Sequence, residues 1–295
     1  MITNIHFIVN PVAGCGKNSL SEDFLNGYFE AENFQVVVKE SAYAKNAIQL
    51  AKQSVAEKAD IIVACGGDGT INEVASSCVH TEVVLGIIPM GSGNGLASNL
   101  KIPRDISKAL AIIKAKAFIE IDTGMINNEL FFSNTGIGFD AFVISNFEKK
   151  PTRKLFGYVR SVITSLRKYK CEEDIEISYL STTRTVCPFL LFVSNSNEMG
   201  YKMSLTPKAS LQDGLLDVLI VPKLSFFRMM IFAFLFFLKK HHWLKGVEEI
   251  CTPSIAMKNV KGANFMIQKD GEAVVLKENT IEIKLLHKAL KVIIA

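Results

Sequence analysis

The chain of 295 residues has few cysteines and histidines, the residues that form stabilising disulfides or bind zinc. Its six cysteines are scattered and form no C-x-x-C pair, so neither a disulfide framework nor a zinc site is indicated. The five histidines show no metal-ligand spacing, and no Ser–His–Asp or Cys–His grouping is apparent. We therefore expect reduced, mostly buried thiols and a cytoplasmic protein.

Long hydrophobic runs are also missing. The apolar run Met229–Leu238 has ten residues, whereas a helix needs about 20 to span a bilayer. The N-terminus lacks a basic segment followed by an apolar one, so no signal peptide is expected. The run at 229–238 is instead expected to form a buried or interfacial helix.

A strong excess of either charge is absent as well. Lysine and arginine number 33 against 29 acidic residues, which gives a net charge of +4, and the pI is about 8.6. This surplus is too weak to indicate nucleic-acid binding, but it suits anionic phosphates or an anionic membrane surface. Hydrophobic residues make up 49% of the chain, which is enough for sizeable cores.

The length and a change of pattern near residue 118 predict two domains. Before it, strands alternate with helices, which predicts a parallel sheet covered by helices. After it, short strand-like segments dominate, with helical stretches at 153–169 and 225–240, which predicts an antiparallel β-sandwich or barrel. The expected domains are residues 1–123 and 124–295.

A glycine-rich turn follows the apolar strand 61–65. Gly66, Gly67 and Gly69 allow close backbone approach to a ligand, and Thr70 and Asn72 are residue types that cap helices. A helix N-terminus favours phosphate. Asp68 would repel phosphate unless a cation lay between them, so the turn indicates a Mg²⁺–nucleotide. The alternative is a turn that only reverses the chain.

Two other glycine-containing turns follow strands, at Asn10–Lys17 and at Met90–Asn99. The first lacks the G-x-x-x-x-G-K-[ST] spacing of a Walker loop, because Gly14 and Gly16 are only two residues apart. Ligands of such sheets bind outside the carboxyl ends of the strands, so the three turns are expected to line one cleft. For the first turn, a plain strand–helix connection is an equal alternative.

Two Asp-Gly pairs in the second half each have a structural and a functional interpretation. Both Asp213-Gly214 and Asp270-Gly271 are typical of hairpin turns. Alternatively, Asp213 and neighbouring carbonyl groups form a Mg²⁺ corner. Glu272, directly after the second pair, would accept a proton from a substrate hydroxyl if that turn faces the cleft.

The segment 153–170 alternates basic and apolar residues in a helical pattern. Such helices lie on anionic membranes or present an ordinary solvated face. The apolar run at 229–238 and its Lys-His flank keep the membrane interpretation open.

Together these motifs resemble those of a known family. Gly66 to Thr70, with Asn72-Glu73, resembles the GGDGT-x-NE signature of the bacterial diacylglycerol kinase-like lipid kinases. Their catalytic domain is related to those of sphingosine, ceramide and diacylglycerol kinases. Further similarities cover nearly the whole chain and lie at Asn10-Pro11 with Gly14 and Lys17, Pro89 to Asn94, Asp213-Gly214 with Asp217, and Asp270-Gly271-Glu272.

The resemblance implies an N-terminal parallel α/β ATP-binding domain and a C-terminal antiparallel β-sandwich lipid-substrate domain, with the active site in the cleft between them. It implies ATP contacts from Asn10, Ser41, Gly66, Gly67, Asp68, Gly69, Thr70, Ile71, Asn72 and Ser92. It implies that Glu272 is the catalytic proton acceptor and that Asp68 acts through Mg²⁺. It also implies a second Mg²⁺, held by Asp213 with the backbone carbonyls of Ser210 and Leu215, outside the reaction centre.

The implied function is transfer of the γ-phosphoryl group of ATP to a hydroxyl of a membrane lipid, diacylglycerol-like or sphingoid, in lipid metabolism. The expected partners are ATP, the lipid and an anionic membrane surface that the protein contacts peripherally, without nucleic acid. One alternative is a soluble-substrate kinase resembling NAD kinase, against which the basic helix and the apolar run argue. Another is a catalytically silent ATP- or lipid-binding regulator, against which the intact Asp68 and Glu272 argue.

Overall fold

The computed structural model describes residues 2–14, 20–30, 33–91, 93–148, 155–170, 173–199 and 203–295, with backbone alone for residues 155–159. The chain divides into two compact units. The first comprises Met1–Asp122 with His287–Ala295, and the second Thr123–Leu286. The C-terminal residues 287–295 therefore belong with the first unit. The assignment of nucleotide and lipid roles to residues 1–123 and 124–295 stays a prediction.

The first unit is an α/β unit. Its elements are β1 (Thr3–Val9), α1 (Glu22–Phe29), β2 (Phe34–Glu40), α2 (Asn46–Ala56), β3 (Ile61–Gly66), α3 (Asp68–Cys78), β4 (Val84–Pro89), α4 (Gly95–Asn99), α5 (Ile106–Ala115) and the start of β5 (Phe118–Ile126). The strands run parallel in the order β2-β1-β3-β4. The end of β16 (Thr280–Ile293) adds a parallel strand beside β4.

The sheet positions the three glycine-containing turns. All residues of β3 are buried, as expected for a central parallel strand that is covered on both faces. The turns follow β1, β3 and β4, and these strands are neighbours in the sheet. Because parallel strands end at the same edge, the described residues of the three turns lie at one edge of the first unit.

The second unit is mainly antiparallel. Its elements are the rest of β5, β6 (Glu129–Phe131), β7 (Asn134–Gly138), α6 (Phe139–Glu148), α7 (Leu155–Lys168), β8 (Ile175–Tyr179), β9 (Thr182–Val186), β10 (Pro188–Ser194), β11 (Leu216–Pro222), α8 (Phe226–Phe237), a 3₁₀ turn (His241–Trp243), β12 (Glu248–Thr252), β13 (Ser254–Asn259), β14 (Met266–Lys269), β15 (Glu272–Val275) and the start of β16.

Two sheets enclose the core of this unit. One has the antiparallel order β12-β11-β10-β7-β14-β15, and the other contains β16-β13-β8-β9. Leu191 and Val218 of the first sheet share a buried cluster with Ile177 and Met257 of the second. The predicted parallel α/β domain and antiparallel β-sandwich are confirmed. Among the described residues, no helix is long and apolar enough to cross a membrane.

Candidate active site

The Gly66–Thr70 turn joins the buried strand β3 to α3. The helix begins at Asp68, and its first backbone bond runs from the Ile71 N–H to the Gly67 carbonyl at 3.0 Å. The turn therefore ends at a helix N-terminus, as predicted, but Gly67 in an extended conformation takes the cap position, not Thr70 or Asn72. The N–H groups of the first helical turn lack intrahelical acceptors, and they make this end attractive to an anion.

Asp68 ties this turn to the next one along the sheet. Its Oδ2 accepts the Asn94 N–H at 2.7 Å and its Oδ1 accepts the Gly95 N–H at 2.7 Å. The Asn94 side chain closes the second turn by donating to the Gly91 carbonyl at 2.7 Å and accepting the Gly91 N–H at 3.2 Å. Asp68 therefore caps the start of α4, a role that the sequence did not predict.

The structure also brings Asn10 to this turn. Its Nδ2 donates to Thr70 Oγ1 at 3.0 Å, and its backbone N–H donates to the Cys65 carbonyl at 2.9 Å. Ser41 lies just after β2, where its N–H donates to the Val9 carbonyl at 2.8 Å. Ser92 lies outside the described residues. The predicted nucleotide residues Asn10, Gly66 to Asn72 and Ser41 thus follow adjacent strands, while their contact with ATP stays a prediction.

Gly91 is expected to tolerate no side chain. A Cβ there would lie 2.7 Å from Gly67 Cα and 2.7 Å from Asn94 Oδ1, whereas a Cβ at Gly69 would meet nothing within 4 Å. We expect Gly91→Ala to lower the free energy of unfolding by about 1–3 kcal/mol through overpacking. Gly69→Ala, inside α3, should leave it unchanged or raise it by up to about 1 kcal/mol. Urea unfolding of both variants provides the measurement, and equal effects would contradict this geometry.

Two cationic side chains, Lys101 and Arg104, lie beside the glycine-containing turn after β4. A cavity of about 200 Å³ is lined by Gly93, Asn94, Lys101 and Arg104, among others. The Arg104 guanidinium donates to the Gly93 carbonyl at 3.0 Å. Sequence reasoning missed both cations, because neither belongs to a recognisable motif. Their position suits an anionic ligand.

In the second unit, Glu272 stands on the β14–β15 hairpin. Asp270 and Gly271 both have positive φ, +48° and +85°, as a tight two-residue hairpin turn requires. The hairpin interpretation of this Asp-Gly pair is confirmed. Glu272 is exposed at the start of β15, opposite Lys269. Its carboxylate is therefore accessible to a substrate.

Asp270 fixes this hairpin from inside the unit. Its carboxylate accepts the N–H groups of Phe132, Ser133 and Asn134 at 2.9, 2.7 and 3.1 Å. Burial raises the pKa of Asp270 to about 6, although the three N–H groups oppose this rise. Gln268 adds a further support by accepting the Gly271 N–H at 3.1 Å. The turn before Glu272 is thus rigidly held.

A second buried carboxyl of this unit, Asp140, lies at the start of α6. Burial raises the pKa of Asp140 from 3.8 to about 7, and the Ala141 N–H opposes this by donating to Oδ1. Each unit by which the pKa rises corresponds to a free-energy difference of about 1.4 kcal/mol between the two protonation states. Because the folded chain holds the proton more tightly, the free energy of unfolding should fall by up to about 4 kcal/mol as the pH rises from 3.8 to about 7.

Asp140→Asn should remove that part of the pH dependence. Urea unfolding from about pH 5 to pH 8 compares the variant with the parent chain, since most of this fall lies in that range. Asp217 and Asp270, whose pKa values are also raised, to about 6, contribute equally in both chains. Parallel stability curves for parent and variant would show that Asp140 is charged throughout.

Asp213-Gly214, the predicted metal corner, lies at the end of the long connection between β10 and β11. The alternative prediction of a tight hairpin turn at this pair was therefore wrong. Asp213 is exposed, and its Oδ1 accepts the Leu215 N–H at 3.1 Å. Ser210 Oγ accepts the Gln212 N–H at 3.2 Å. Burial raises the pKa of Asp217 to about 6, and the charge of Asp213 adds to this effect. Within the described residues, no cluster of three His, Cys, Asp or Glu side chains could hold a metal.

Comparison with known proteins identifies the family. The model of the diacylglycerol kinase catalytic domain matches residues 4–126, and that of the YegS C-terminal NAD kinase beta sandwich-like domain matches residues 133–294. A diacylglycerol kinase of Bacillus subtilis is 30% identical over 226 residues, which cover 73% of each chain. One from Staphylococcus aureus is 29% identical over 225 residues, which cover 73% of this chain and 70% of that protein.

Solved structures agree in fold. A crystal structure of a diacylglycerol kinase from Bacillus anthracis has a TM-score of 0.72 and 19% identity, and covers 99% of this chain and 97% of that one. The chain spans between 52% and 73% of the length of the first curated relatives it matches. The resemblance inferred from the motifs is confirmed by the two family models and the B. subtilis relative. The chain belongs to the diacylglycerol kinase and YegS-like lipid kinase family, whose members are phosphotransferases.

Proposed function

We propose that this protein transfers the γ-phosphoryl group of ATP to a hydroxyl of a diacylglycerol-like or sphingoid membrane lipid, with Mg²⁺. The observation that carries the proposal is the junction made by Asp68. This carboxylate holds the turns after β3 and β4 together through two N–H groups, each at 2.7 Å. Two backbone turns fixed in this way form a rigid support for nucleotide phosphates.

The electrostatics of this edge support an anionic ligand. The first turn of α3 presents backbone N–H groups, whose partial positive charge attracts phosphate. Lys101 and Arg104 add full positive charges at the adjacent cavity. Positioning and charge stabilisation of this kind supply most of the acceleration in phosphoryl transfer.

The donor chemistry fits Mg²⁺ at two places. From the residues that the structure describes, each Asp68 oxygen accepts one N–H, and a further lone pair could bind a hard cation or its water. Asp213 and the carbonyls of Ser210 and Leu215 are hard oxygen donors, and the nearby Asp217 adds negative charge. When bound at Asp68, Mg²⁺ would offset charge on the transferring phosphoryl group.

Glu272 is the proposed proton acceptor. Its exposed carboxylate stands on a hairpin that Asp270 anchors through three N–H groups. It would take the proton from the lipid hydroxyl as the hydroxyl oxygen bonds to the γ-phosphorus, while ADP departs with the bond electrons. A rigid base lowers the cost of orienting the acceptor.

We also propose a cytoplasmic protein that associates peripherally with membranes. The exposed surface of α7 carries Ile163 and Leu166 together with Arg160 and Arg167, while Ser161 and Ser165 are buried. This mixture of apolar and basic side chains suits an anionic lipid surface. Residues 153 and 154 of the predicted basic helix lie outside the described residues.

The test is transfer of label from γ-labelled ATP to lipid. Diacylglycerol, a sphingoid base and ceramide in mixed vesicles should be compared with NAD, each with Mg²⁺ and with a chelator. We expect a lipid to be labelled in the reactions that contain Mg²⁺ and not in those that contain the chelator. Label only in NAD would favour a soluble-substrate kinase. An intact protein that labels none of these acceptors would favour a silent regulator.

A further inference from the structure

Apart from Arg228, the helix α8 is apolar on every side, yet only one side packs on the protein. Phe232 and Phe236 lie against the buried cluster that contains Leu190, Phe192 and Leu219. None of the helix residues is buried. A helix that is hydrophobic all round normally lies inside a protein or a membrane. The outward side of α8 therefore lacks the cover that its composition calls for.

That outward side is a continuous aromatic stripe. Phe226, Phe227, Met230, Phe234 and Phe237 are between 57% and 83% exposed. At about 100° per residue, these positions fall within an arc of roughly 100° on one helix face. Two further exposed apolar residues, Leu238 and Trp243, follow the helix end in the sequence. We call the residues 226, 227, 230, 234, 237, 238 and 243 the aromatic face.

The charged residues that flank the aromatic face in the sequence have one sign. Between Asp217 and Glu248 the sequence contains no acidic residue, and its cations are Lys223, Arg228, Lys239, Lys240 and Lys245. The Lys240 ammonium stands 4.5 Å from the Trp243 ring centroid. An aromatic surface next to tryptophan and lysine is typical of side chains at the boundary between acyl chains and headgroups.

We propose that the aromatic face docks on an anionic lipid bilayer, with α8 lying in the plane of the interface. This inference rests on the proposed function, because the acceptor would then be a lipid of the same bilayer. The helix has 12 residues, or about 18 Å of length, too short for a hydrocarbon core of about 30 Å. Its length therefore favours lying on the bilayer over spanning it.

Charge favours the bilayer over a second copy of the chain as the occupant. Two copies paired through their aromatic faces would bring like-charged lysine clusters, including Lys239 and Lys240, towards each other without an intervening acid. Anionic headgroups complement the same lysines, each of which adds to membrane attraction. The first acids that follow in the sequence are already beside basic groups. Glu248 pairs with Arg184, and Glu249 lies 3.7 Å from Lys208 and 3.7 Å from His242.

Trp243 reports on this docking without any activity measurement, because it is the only tryptophan in the chain. The full chain, without ATP, is mixed with vesicles of phosphatidylcholine and phosphatidylglycerol. We expect it to sediment with the vesicles while the Trp243 emission moves to shorter wavelength. Phe234→Asp with Phe237→Asp should weaken partitioning by at least about tenfold. Leu180→Asp is the matched control, because Leu180 is 75% exposed on the β8–β9 turn.

A second variant tests the charge contribution. Lys239→Gln with Lys240→Gln should weaken binding to the phosphatidylglycerol vesicles and leave binding to pure phosphatidylcholine vesicles unchanged. Thermal unfolding of all variants checks that the fold survives, which is expected because the altered side chains are exposed.

Three results would overturn the inference. The first is a parent chain that does not sediment with the vesicles, and the second is equal binding by the parent and the aspartate variant. In the third, a parent dimer is converted to a monomer by the aspartates while vesicle binding persists, which would assign the face to a second copy.

A kinase assay on short-chain diacylglycerol in detergent separates this inference from the proposed function. Vesicle binding without transfer to any lipid would defeat the proposed function alone. Transfer without vesicle binding would defeat the docking alone.

Discussion

Asp68→Ala is expected to lower kcat by at least about a hundredfold, because two contributions are lost together. The carboxylate accepts the N–H groups of Asn94 and Gly95, each at 2.7 Å, and so fixes the turn after β4. It is also the proposed link to Mg²⁺. Steady-state kinetics with ATP and the lipid acceptor found in the labelling test provide the measurement.

Asp68→Asn separates these two roles. The amide keeps the shape, but its NH₂ group faces an N–H donor and loses one of the two hydrogen bonds, which costs about 1–3 kcal/mol of stability. If Asp68 acts only on the loop, kcat should recover when osmolyte restores the stability of the fold. If it also binds Mg²⁺, kcat stays low and the Mg²⁺ concentration at half-maximal rate rises.

Asp105 offers a matched control in the same unit. Its carboxylate caps α5 by accepting the Lys108 N–H at 2.9 Å. Asp105→Ala therefore removes a capping carboxylate, at a cost of about 1 kcal/mol, with kcat preserved. A folded Asp68→Ala variant with the kcat of this control would overturn the assignment of Asp68 to the reaction.

Glu272→Gln is expected to lower kcat by about 10²- to 10⁴-fold, the usual contribution of a general base. The amide has nearly the same shape and cannot take the proton of the acceptor hydroxyl. Since Glu272 is exposed and its turn is anchored by Asp270, the fold and the affinity for ATP should change little. Rates are measured against lipid and ATP separately.

Glu278→Gln is the control for this change, because Glu278 is another exposed glutamate of the second unit. It should leave kcat at the parent value. A rise in KM at constant kcat would indicate that Glu272 binds the lipid and is not the base.

Local pattern was sufficient for most elements of the fold. The buried run 61–65 predicted β3, which the structure extends to Gly66, and the helical stretch 225–240 contains α8. The last strand was the main difference, since residues 124–295 were expected to form one domain, whereas β16 starts in the second unit and ends in the first, at Ile293. Local pattern does not say which neighbour a strand finds. Residues 287–293 join β4 of the first unit, more than two hundred positions away.

The candidate residues show the same limit. The motif Gly66 to Thr70 could be read because its residue types imply phosphate chemistry. The acceptor role of Asp68 could not be read, because its partners Asn94 and Gly95 lie 26 and 27 positions further along. The anchor of Glu272 was hidden for the same reason, since Asp270 binds backbone groups near residue 133. Contacts between distant segments leave no local periodicity.

The position of β16 sets an order of synthesis and assembly. Residues 2–122 leave the ribosome first, yet their sheet is completed only when residues 287–293 have emerged, after the whole second unit. Two residues of this late segment bind Asp122. The Lys288 N–H donates to its carboxylate at 2.7 Å, and His287 pairs with it at 2.8 Å. The first unit is thus begun before the second unit and completed after it. A nascent chain that stalls before residue 287 would contain the whole second unit, whereas the sheet of the first unit would lack the strand that pairs with β4.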